Sequence, residues 1–437
     1  MTKKRKERRK MSKTITVFFV LVAVALPGSA VETVSDCSKL LPGPTLPHGF
    51  GVNIHFRGQP SDLDMIAEAG FKLIRMDLTW AIIEHDKGIY EFEKLGYDSL
   101  TEGCAKRGIR ILYILDYGNT LYEKGRSVRT QAGREAFAAF AEAAAERYAG
   151  KGILWEIWNE PNIKHFWDPQ PSVDDYCKLV ELTAPRIKKA DPNGLVVAGA
   201  TSQIPFEWLE GCFEKGLLNC IDVLSVHPYR SQPPETVVGD YAELHQLVTK
   251  YAPQGKQLPI ISGEWGYSNL NWDMSRLSEQ EQAEYLARMF LTNLHQGIDI
   301  SIWYDWKNDG TDPNEREHQF GMVRHDCNPK AAYLAAKVLS STFAGYRLDE
   351  RLDLGNENDF AFRLTNGEKE AIAFWTTDDK HTLILPVEPT EVTLVGLYGG
   401  KVAINWKSQN LKLRAMKSPQ YLLIEPKTGN SGRYSAP

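Results

Sequence analysis

Two glutamates follow short apolar runs that are typical of buried strands. Glu160 lies in Ile-Trp-Asn-Glu-Pro-Asn, and Glu264 lies in Ile-Ile-Ser-Gly-Glu-Trp-Gly. If both runs are strands of one sheet, the two carboxylates stand at strand ends and can face each other. Two carboxyl groups about 5 to 5.5 Å apart cleave a glycosidic bond with retention, one as the acid and the other as the nucleophile. The sequence therefore predicts a glycosidase with Glu160 and Glu264 as its catalytic pair.

The strands that must hold this pair recur along the chain. Short β-rich runs alternate with helical patterns, as in repeated βα units around a parallel sheet. Eight runs are strand-like, at residues 51–56, 72–79, 109–115, 153–158, 195–200, 222–226, 259–263 and 299–303. The clearest helix signals are an alanine-rich stretch at 129–148 and a serine-capped stretch at 278–294. Eight such units, without the glycine-rich first turn of an open doubly wound sheet, predict an α/β fold of the (β/α)8 TIM-barrel type.

The pattern changes near Gly345. After a predicted helix at 331–342, seven runs are strand-like, at residues 360–364, 371–376, 381–386, 391–398, 401–406, 411–415 and 421–425. Turn signals such as Asn366-Gly367 separate these runs. We therefore predict a catalytic barrel over residues 31–344, to which 31–46 could add a strand, and a small C-terminal β-sandwich over residues 345–430. Because no low-complexity linker separates them, the two should pack rigidly.

Residues 1–30 have the pattern of a secretory signal peptide. A basic stretch at 3–10 precedes an apolar run at 15–26 and small residues at 28–30. We expect cleavage after Ala30, no membrane span in the mature chain, and a secreted or periplasmic protein. The alternative is an uncleaved signal that tethers the protein to the inner membrane, although the apolar run is short for a span.

Charge and cysteine content narrow the classes of partner. Without residues 1–30 the chain has 43 basic and 55 acidic residues, a net charge of −12, which disfavours nucleic acid as a partner. We expect the substrate to be an oligo- or polysaccharide and the protein to be a monomer. We expect no metal or other cofactor. The six cysteines show no Cys-x-x-Cys spacing, which argues against a zinc site. Buried thiols and disulfides both remain open, since six thiols allow 15 pairings.

The motifs around the two glutamates resemble the signature of the clan A retaining glycoside hydrolases. Trp158-Asn159-Glu160-Pro161 and Gly263-Glu264 carry most of this resemblance. It extends through residues 80–90 and 226–230 and covers most of residues 50–425. With the trailing β-sandwich, the chain is most similar to glycoside hydrolase family 39, especially its bacterial exopolysaccharide (biofilm-matrix) endoglycosidases.

The resemblance implies a role for each residue of the motifs. Glu160 would be the acid/base, and Asn159 would bind the 2-hydroxyl of the sugar at which the bond breaks. Glu264 would be the nucleophile. His227 and Tyr229 would orient Glu264 and shape the cleavage subsite, although a hydrogen-bonded structural histidine is the alternative for His227.

Charge chemistry adds requirements for the pair. Glu264 must be ionised to attack, and Arg75 at the end of the second strand-like run is placed to hold it charged. A structural ion pair is the alternative for Arg75. Glu160 must start protonated at neutral pH, which requires an apolar setting or the negative charge of Glu264 nearby.

Further residues at strand ends could form the walls of sugar subsites. Trp303 and Trp306 lie at the end of the eighth run, and Asp116, Tyr117 and Asn119 follow the third. Flat aromatic faces stack on sugar rings, and polar neighbours bind hydroxyls. The alternative is that these aromatic residues are core or loop anchors.

Three functions are consistent with these patterns. The first is a secreted retaining endo-β-glycosidase that acts on a polysaccharide, and we expect that polysaccharide to be a bacterial exopolysaccharide. The second is an exo-acting β-xylosidase or β-glucosidase, which would need loops that close the cleft into a pocket. The third is a non-catalytic carbohydrate-binding protein, which would not need the whole set of catalytic groups.

Overall fold

The computed structural model describes residues 41–57, 59–271, 273–407 and 410–425. Eight parallel strands close into a barrel, in which the eighth strand pairs with the first. They are β1 (Phe50–Asn53), β2 (Leu73–Thr79), β3 (Arg110–Asp116), β4 (Leu154–Ile157), β5 (Leu195–Ser202), β6 (Val223–His227), β7 (Ile260–Trp265) and β8 (Ser301–Trp303). All eight predicted runs belong to this one sheet, which confirms the predicted (β/α)8 barrel.

Helices connect the barrel strands. They are α1 (Pro60–Glu68), α2 (Trp80–Ile83), α3 (Tyr97–Ala105), α4 (Gln131–Arg147), α5 (Val173–Ala190), α6 (Phe206–Glu214), α7 (Leu217–Cys220), α8 (Val238–Tyr251) and α9 (Glu279–His295), with α10 (Ala331–Thr342) after β8. Local side chains define where they begin. Ser278 and Glu281 form the predicted capping box at the start of α9. The Thr130 hydroxyl accepts the Gly133 N–H at 3.0 Å at the start of α4.

The interior of the barrel changes from apolar to polar along its axis. One buried apolar cluster draws members from seven barrel strands, so it must lie inside the barrel. These members are Leu73, Leu112, Ile114, Leu154, Leu195, Val197, Val223, Ile261, Ile300 and Ile302. Side chains two positions apart on a strand share a face, so Arg75, Glu156 and Ser225 also point inward, one layer above Leu73, Leu154 and Val223. This polar layer supports the end of the barrel at which Glu160 and Glu264 lie.

The C-terminal part consists of antiparallel sheets, which confirms the predicted β-sandwich. Its strands are β9 (Arg347–Arg351), β10 (Asp359–Thr365), β11 (Glu370–Thr376), β12 (His381–Leu385), β13 (Glu391–Gly396), β14 (Lys401–Asn405), β15 (Leu411–Ala415) and β16 (Gln420–Ile424). Six strands form one sheet in the order β14-β13-β16-β11-β10-β9, and β12 pairs with β15. The sequence prediction missed β9 because its residues, Arg-Leu-Asp-Glu-Arg, are largely charged. As an edge strand, β9 needs few apolar side chains.

A buried polar contact joins the sandwich to the barrel. Arg288 on α9 donates two hydrogen bonds to the carboxylate of Glu235, at 2.6 and 2.7 Å. The indole N–H of Trp375 on β11 donates to the same carboxylate at 2.7 Å. Because Trp375 and Arg288 are almost fully buried, the contact excludes water between the two parts.

The described cysteines are free thiols. Cys104, Cys177, Cys212, Cys220 and Cys327 form no disulfide. The alternative of buried or partly buried thiols therefore holds for these five. Cys37, the predicted signal peptide and most of the segment 31–46 lie outside the described residues. Within the described part of the chain, no helix is long and apolar enough to cross a membrane.

Candidate active site

Arg75 is the third residue of β2 and does not lie at the end of that strand, contrary to the prediction from the sequence. It lies at the centre of the polar layer and uses all its hydrogen-bond donors there. A guanidinium has five N–H groups in a fixed plane. In Arg75 they face five acceptors, on Glu156, Asn53, Glu264, Asn159 and His227. Burial alone would lower the pKa of Arg75, but the carboxylates of Glu156 and Glu264 raise it above its ordinary value. One buried cation therefore connects residues from four strands or strand ends.

The predicted nucleophile, Glu264, is held at both carboxylate oxygens. Its Oε2 accepts a hydrogen bond from Arg75 Nη1, and its Oε1 accepts one from the Tyr229 hydroxyl at 2.8 Å. The Glu264 side chain is 13% exposed and lines the cavity described below. Two donors from different strands thus fix the orientation of the carboxylate while leaving it accessible to a ligand.

The predicted acid/base, Glu160, follows β4 and is largely buried. Its backbone N–H donates to the carbonyl of Ala200 at 2.8 Å, which ties it to β5. Burial raises the pKa of Glu160 to about 7, although Arg75 and the Ser202 hydroxyl act to lower it. Of the two causes considered from the sequence, burial is therefore the main one. At neutral pH a substantial fraction of this carboxyl carries a proton.

His227 contacts Glu160 instead of Glu264. Its Nδ1 lies 3.2 Å from Glu160 Oε1, and its Nε2 lies 3.5 Å from Arg75 Nη2. Burial lowers the pKa of the His227 ring to about 4, so the ring is neutral at neutral pH. Since arginine can only donate, Arg75 assigns Nε2 as the acceptor and leaves the proton on Nδ1, facing Glu160 Oε1. The hydrogen bond of His227 is therefore to the predicted acid/base, Glu160, and not to Glu264 as expected.

The two glutamates are close enough to act on one bond. Carboxylate oxygens of Glu160 and Glu264 lie within 4.8 Å of each other, with a ring nitrogen of His227 within the same distance of both. Retaining glycosidases separate their carboxyl groups by about 5 to 5.5 Å, whereas inverting enzymes need about 6.5 to 9.5 Å to admit a water. The geometry therefore favours the retaining arrangement.

The residues predicted at the end of β3 divide between the site and the core. Tyr117 accepts a hydrogen bond from Asn159 at 3.1 Å and stacks on Phe166, with ring centroids 5.5 Å apart. It contacts these two lining residues but does not itself line the cavity, so it is not the wall that the sequence predicted. Asp116 is fully buried and does not line the cavity, so it cannot bind sugar hydroxyls in this structure. Burial, and then the neighbouring Asp77, raise the pKa of Asp116 well above its ordinary value. Asn119 is also buried and bonds the backbone carbonyl of Glu84 at 2.9 Å.

The predicted tryptophan walls at the end of β8 lie outside the cavity. Trp303 is fully buried and packs near Tyr267, and the Trp306 indole N–H donates to Asp62 at 2.7 Å. The aromatic residue between them, Tyr304, lines the cavity, and its hydroxyl donates to Glu317 at 3.2 Å. Because Ile300 and Ile302 point inward, alternation along β8 would have placed Tyr304 inward and Trp303 outward.

A cavity of about 990 Å³ opens beside the two glutamates. Its walls come from the segments that follow β4 to β8, and neither Trp303 nor Trp306 belongs to them. Apolar side chains from two of these segments face it, namely Ile163 and Phe166 after β4, and Ile204 and Phe206 after β5. The sequence prediction missed these four because three lie in loops and Phe206 begins α6, so the alternation of a strand gives no indication of their side-chain directions.

Two groups of described residues have donor atoms close enough to surround a metal ion. One is Glu160, His227 and Glu264, whose atoms make the hydrogen bonds given above. The other is His55, Asp305 and Asp309, in which His55 Nδ1 lies 3.0 Å from Asp309 Oδ1. The second group offers one nitrogen and two carboxylates, far from the six to eight oxygens that calcium prefers.

Comparisons with known proteins relate this site to glycosidases. The family model described as Cellulase (glycosyl hydrolase family 5) matches residues 44–310. A solved family 39 glycoside hydrolase from Bacteroides cellulosilyticus is similar with a TM-score of 0.77 and 25% identity, over 87% of this chain and 81% of that one.

Two β-xylosidases are also similar in sequence. The protein from Geobacillus stearothermophilus is 30% identical over 115 residues, which is 25% of this chain and 22% of that protein. The protein from Caldicellulosiruptor saccharolyticus is 26% identical over 234 residues, which is 46% of this chain and 47% of that protein. The match thus spans about a fifth of the first relative and about half of the second.

Proposed function

Because this chain belongs to the cellulase family, glycosyl hydrolase family 5, we propose that it is a retaining endo-β-glycosidase that hydrolyses a bacterial exopolysaccharide. The observation that carries this proposal is the pair of Glu160 and Glu264, with carboxylate oxygens within 4.8 Å of each other. One member of the pair is buried with its pKa raised to about 7, and the other is held by Arg75 and Tyr229. Two carboxyl groups in such different settings suit the roles of acid and nucleophile.

The reaction proceeds in two displacements. In the first, Glu264 attacks the anomeric carbon, and Glu160 gives its proton to the leaving oxygen as the glycosidic bond breaks. In the second, Glu160 takes a proton from water, which attacks the same carbon and releases Glu264. His227 Nδ1–H bonds one oxygen of Glu160, so the other oxygen is the one that exchanges the proton. Each displacement inverts the configuration, and the product keeps the β-configuration.

The cavity has room for the leaving part of a substrate. It extends from Glu160 past Ser202 to Ile204 and Phe206, in the segments that follow β4 and β5. The leaving group takes its proton from Glu160, so we assign this side to the leaving part of the substrate. Apolar side chains such as Phe166 and Phe206 offer contact area for the C–H faces of sugar rings. An endo-acting enzyme and an exo-acting one both need this room, and only the endo-acting one also needs room for the chain on the other side of the cleaved bond.

An exo-acting β-xylosidase is the second candidate. The names of the two sequence relatives favour it, since both are β-xylosidases. A non-catalytic carbohydrate-binding protein is disfavoured, because a binder does not need a nucleophile, an acid and the arginine that connects them. We further propose that the enzyme acts as a monomer outside the cytoplasm, secreted or periplasmic, where an exopolysaccharide would meet it.

Product analysis tests the proposed function. The substrates would be soluble xylan, β-glucan, β-mannan and a purified bacterial exopolysaccharide. The viscosity and the lengths of the products would be followed during digestion, and NMR would give the anomeric configuration of the first product. We expect a rapid fall in viscosity, oligosaccharides of mixed length and a β-configured new reducing end. An inverted product would contradict the two-glutamate mechanism. Release of monosaccharide alone from chain ends would replace the endo-acting proposal with the exo-β-xylosidase.

A further inference from the structure

Glu156 is a buried carboxylate below the catalytic pair. It lies on β4, four residues before Glu160, and its side chain is fully buried. Its Oε2 accepts a hydrogen bond from Arg75 Nε at 2.7 Å. Glu156 does not line the cavity, so it cannot touch a substrate there. Any part it plays in the reaction must act through its neighbours, and the one to which it is hydrogen-bonded is Arg75.

The geometry of Arg75 gives this contact particular weight. Four of its five N–H groups point from the two terminal nitrogens toward the site, to Glu264, Asn53, Asn159 and His227. The fifth, on Nε, is the one that Glu156 accepts. Because the guanidinium is planar and rigid, its five N–H groups move together, and holding the Nε–H restricts the directions of the other four. The Glu156 carboxylate therefore helps to hold the plane in which Arg75 meets the reacting groups.

Glu156 also shares the charge of Arg75 with Glu264. The two carboxylates contact one cation from opposite ends of its plane, through Nε and Nη1. Other ionisable groups face this centre from neighbouring elements: Asp77 on β2, Asp116 on β3, Glu160 after β4, His227 and Tyr229 on and after β6, and Tyr304 and Glu317 after β8. None of these other groups forms an ion pair with Arg75, whereas Glu156 and Glu264 both do.

We propose that Glu156 is a positioning residue that orients Arg75 toward Glu264 and Asn159 and limits how strongly Arg75 stabilises the ionised nucleophile. The inference rests on the proposed function, in which Glu264 attacks the sugar. A carboxylate held too strongly by a cation is a weaker nucleophile, whereas an unpaired carboxylate is poorly oriented. By competing for Arg75, Glu156 keeps the hold of Arg75 on Glu264 between these two extremes.

A purely structural role would predict a different outcome. In that case Glu156 would only compensate the buried charge of Arg75, and removing it would lower the stability without changing how activity depends on pH. The dependence of activity on pH therefore distinguishes the positioning role of Glu156 from a purely structural one.

Three variants of the full chain provide the test. Glu156→Gln keeps an acceptor for Arg75 Nε and removes the charge. Glu156→Asp keeps the charge on a shorter side chain. Ser225→Ala is the matched control, because Ser225 is a fully buried polar residue on an inward face with no hydrogen bond to Arg75. The probe is whichever of the 4-nitrophenyl β-xyloside, β-glucoside and β-mannoside the wild-type protein hydrolyses fastest.

We expect Glu156→Gln to move the acid limb of kcat/KM to lower pH by about one unit, the size of shift that one neighbouring charge typically causes. Without the competing carboxylate, Arg75 stabilises ionised Glu264 more strongly, and kcat should fall roughly tenfold. Glu156→Asp should lower kcat while its acid limb stays near that of the wild type. Ser225→Ala should leave the limb unchanged. A wild-type acid limb in Glu156→Gln would overturn the proposal.

A crystal structure of Glu156→Ala separates this inference from the proposed function. We expect the guanidinium of Arg75 to turn and to lose its contact with Glu264 or Asn159. If Arg75 keeps both contacts, the positioning role is wrong, whatever the activity. If Arg75 turns while the wild-type protein hydrolyses none of the glycosides or polysaccharides, the positioning role stands and the proposed function fails.

Discussion

His227 and Glu160 form a buried hydrogen bond, with 3.2 Å between Nδ1 and Oε1. The same burial lowers the pKa of the His227 ring to about 4 and raises the pKa of the Glu160 carboxyl to about 7. At neutral pH the contact therefore joins a neutral ring to a carboxyl that can gain or lose a proton. A general acid works best when its pKa lies near the working pH, so the contact suits the role proposed for Glu160.

The first prediction concerns pH. We expect kcat/KM for a substrate with a poor leaving group to fall as the pH rises through about 7. The pKa of Glu160 in the folded protein is about 7, so the protonated form that donates to the leaving oxygen is lost above this pH. His227, with its pKa near 4, stays neutral across the whole limb. Initial rates between about pH 5 and pH 9 would measure it.

The Glu160→Ala variant is the control for this limb. On an aryl glycoside with a good leaving group, the first displacement needs no acid and should persist. Azide should then rescue the second displacement, since it attacks without a base. A limb near pH 7 that persists in Glu160→Ala, or a folded variant that azide does not rescue, would assign the acid to another residue.

Replacement of the nucleophile should abolish turnover. Glu264→Gln keeps the size of the side chain and can still accept hydrogen bonds, so we expect a folded protein with an unchanged melting temperature to within a few degrees. An amide cannot form the glycosyl-enzyme ester, so activity should fall by at least about a thousandfold. Steady-state rates would measure the loss of activity, and thermal unfolding followed by circular dichroism would measure the melting temperature. A variant with a tenth of the wild-type activity would exclude Glu264 as the nucleophile.

The walls of the cleavage subsite are expected to include Tyr304 and not Trp306. Tyr304→Ala should raise KM about fivefold, since an aromatic contact with a sugar is worth roughly 1 kcal/mol. Trp306→Phe removes the indole donor to buried Asp62 and should lower the stability by about 1 to 3 kcal/mol without changing KM. Kinetics on the same glycoside and urea unfolding compare the two variants. An unchanged KM in Tyr304→Ala would remove it from the subsite.

The sandwich is expected to be part of the folded unit. Trp375→Phe removes one donor from buried Glu235 and should cost about 1 to 3 kcal/mol of unfolding free energy. Truncation at about residue 345 exposes the whole interface, including the Glu235–Arg288 pair, and the barrel should aggregate. Gel filtration and activity of the truncated protein would show the outcome. A soluble barrel with full activity would contradict this expectation.

The sequence by itself determined the order of the barrel strands and the strand ends at which the proposed catalytic pair lies. Short continuous apolar runs identify the eight barrel strands because strands buried on both faces must be apolar along most of their length. The closed parallel barrel then brings the ends of β4 and β7 to one face, whatever the details of the loops. Glu160 and Glu264 are thus placed by local pattern and fold class, while their separate roles came from resemblance to a known clan.

Only the tertiary structure decided how that pair is tuned and surrounded. Burial, which depends on every neighbouring segment, is what raises the pKa of Glu160, and no local pattern reports it. The five contacts of Arg75 join residues far apart in the chain. Residue type suggested Trp303 and Trp306 as subsite walls, but the inward direction of β8 gives that position to Tyr304. Side-chain direction and burial are set by how the elements pack together, and this information is spread over the whole chain.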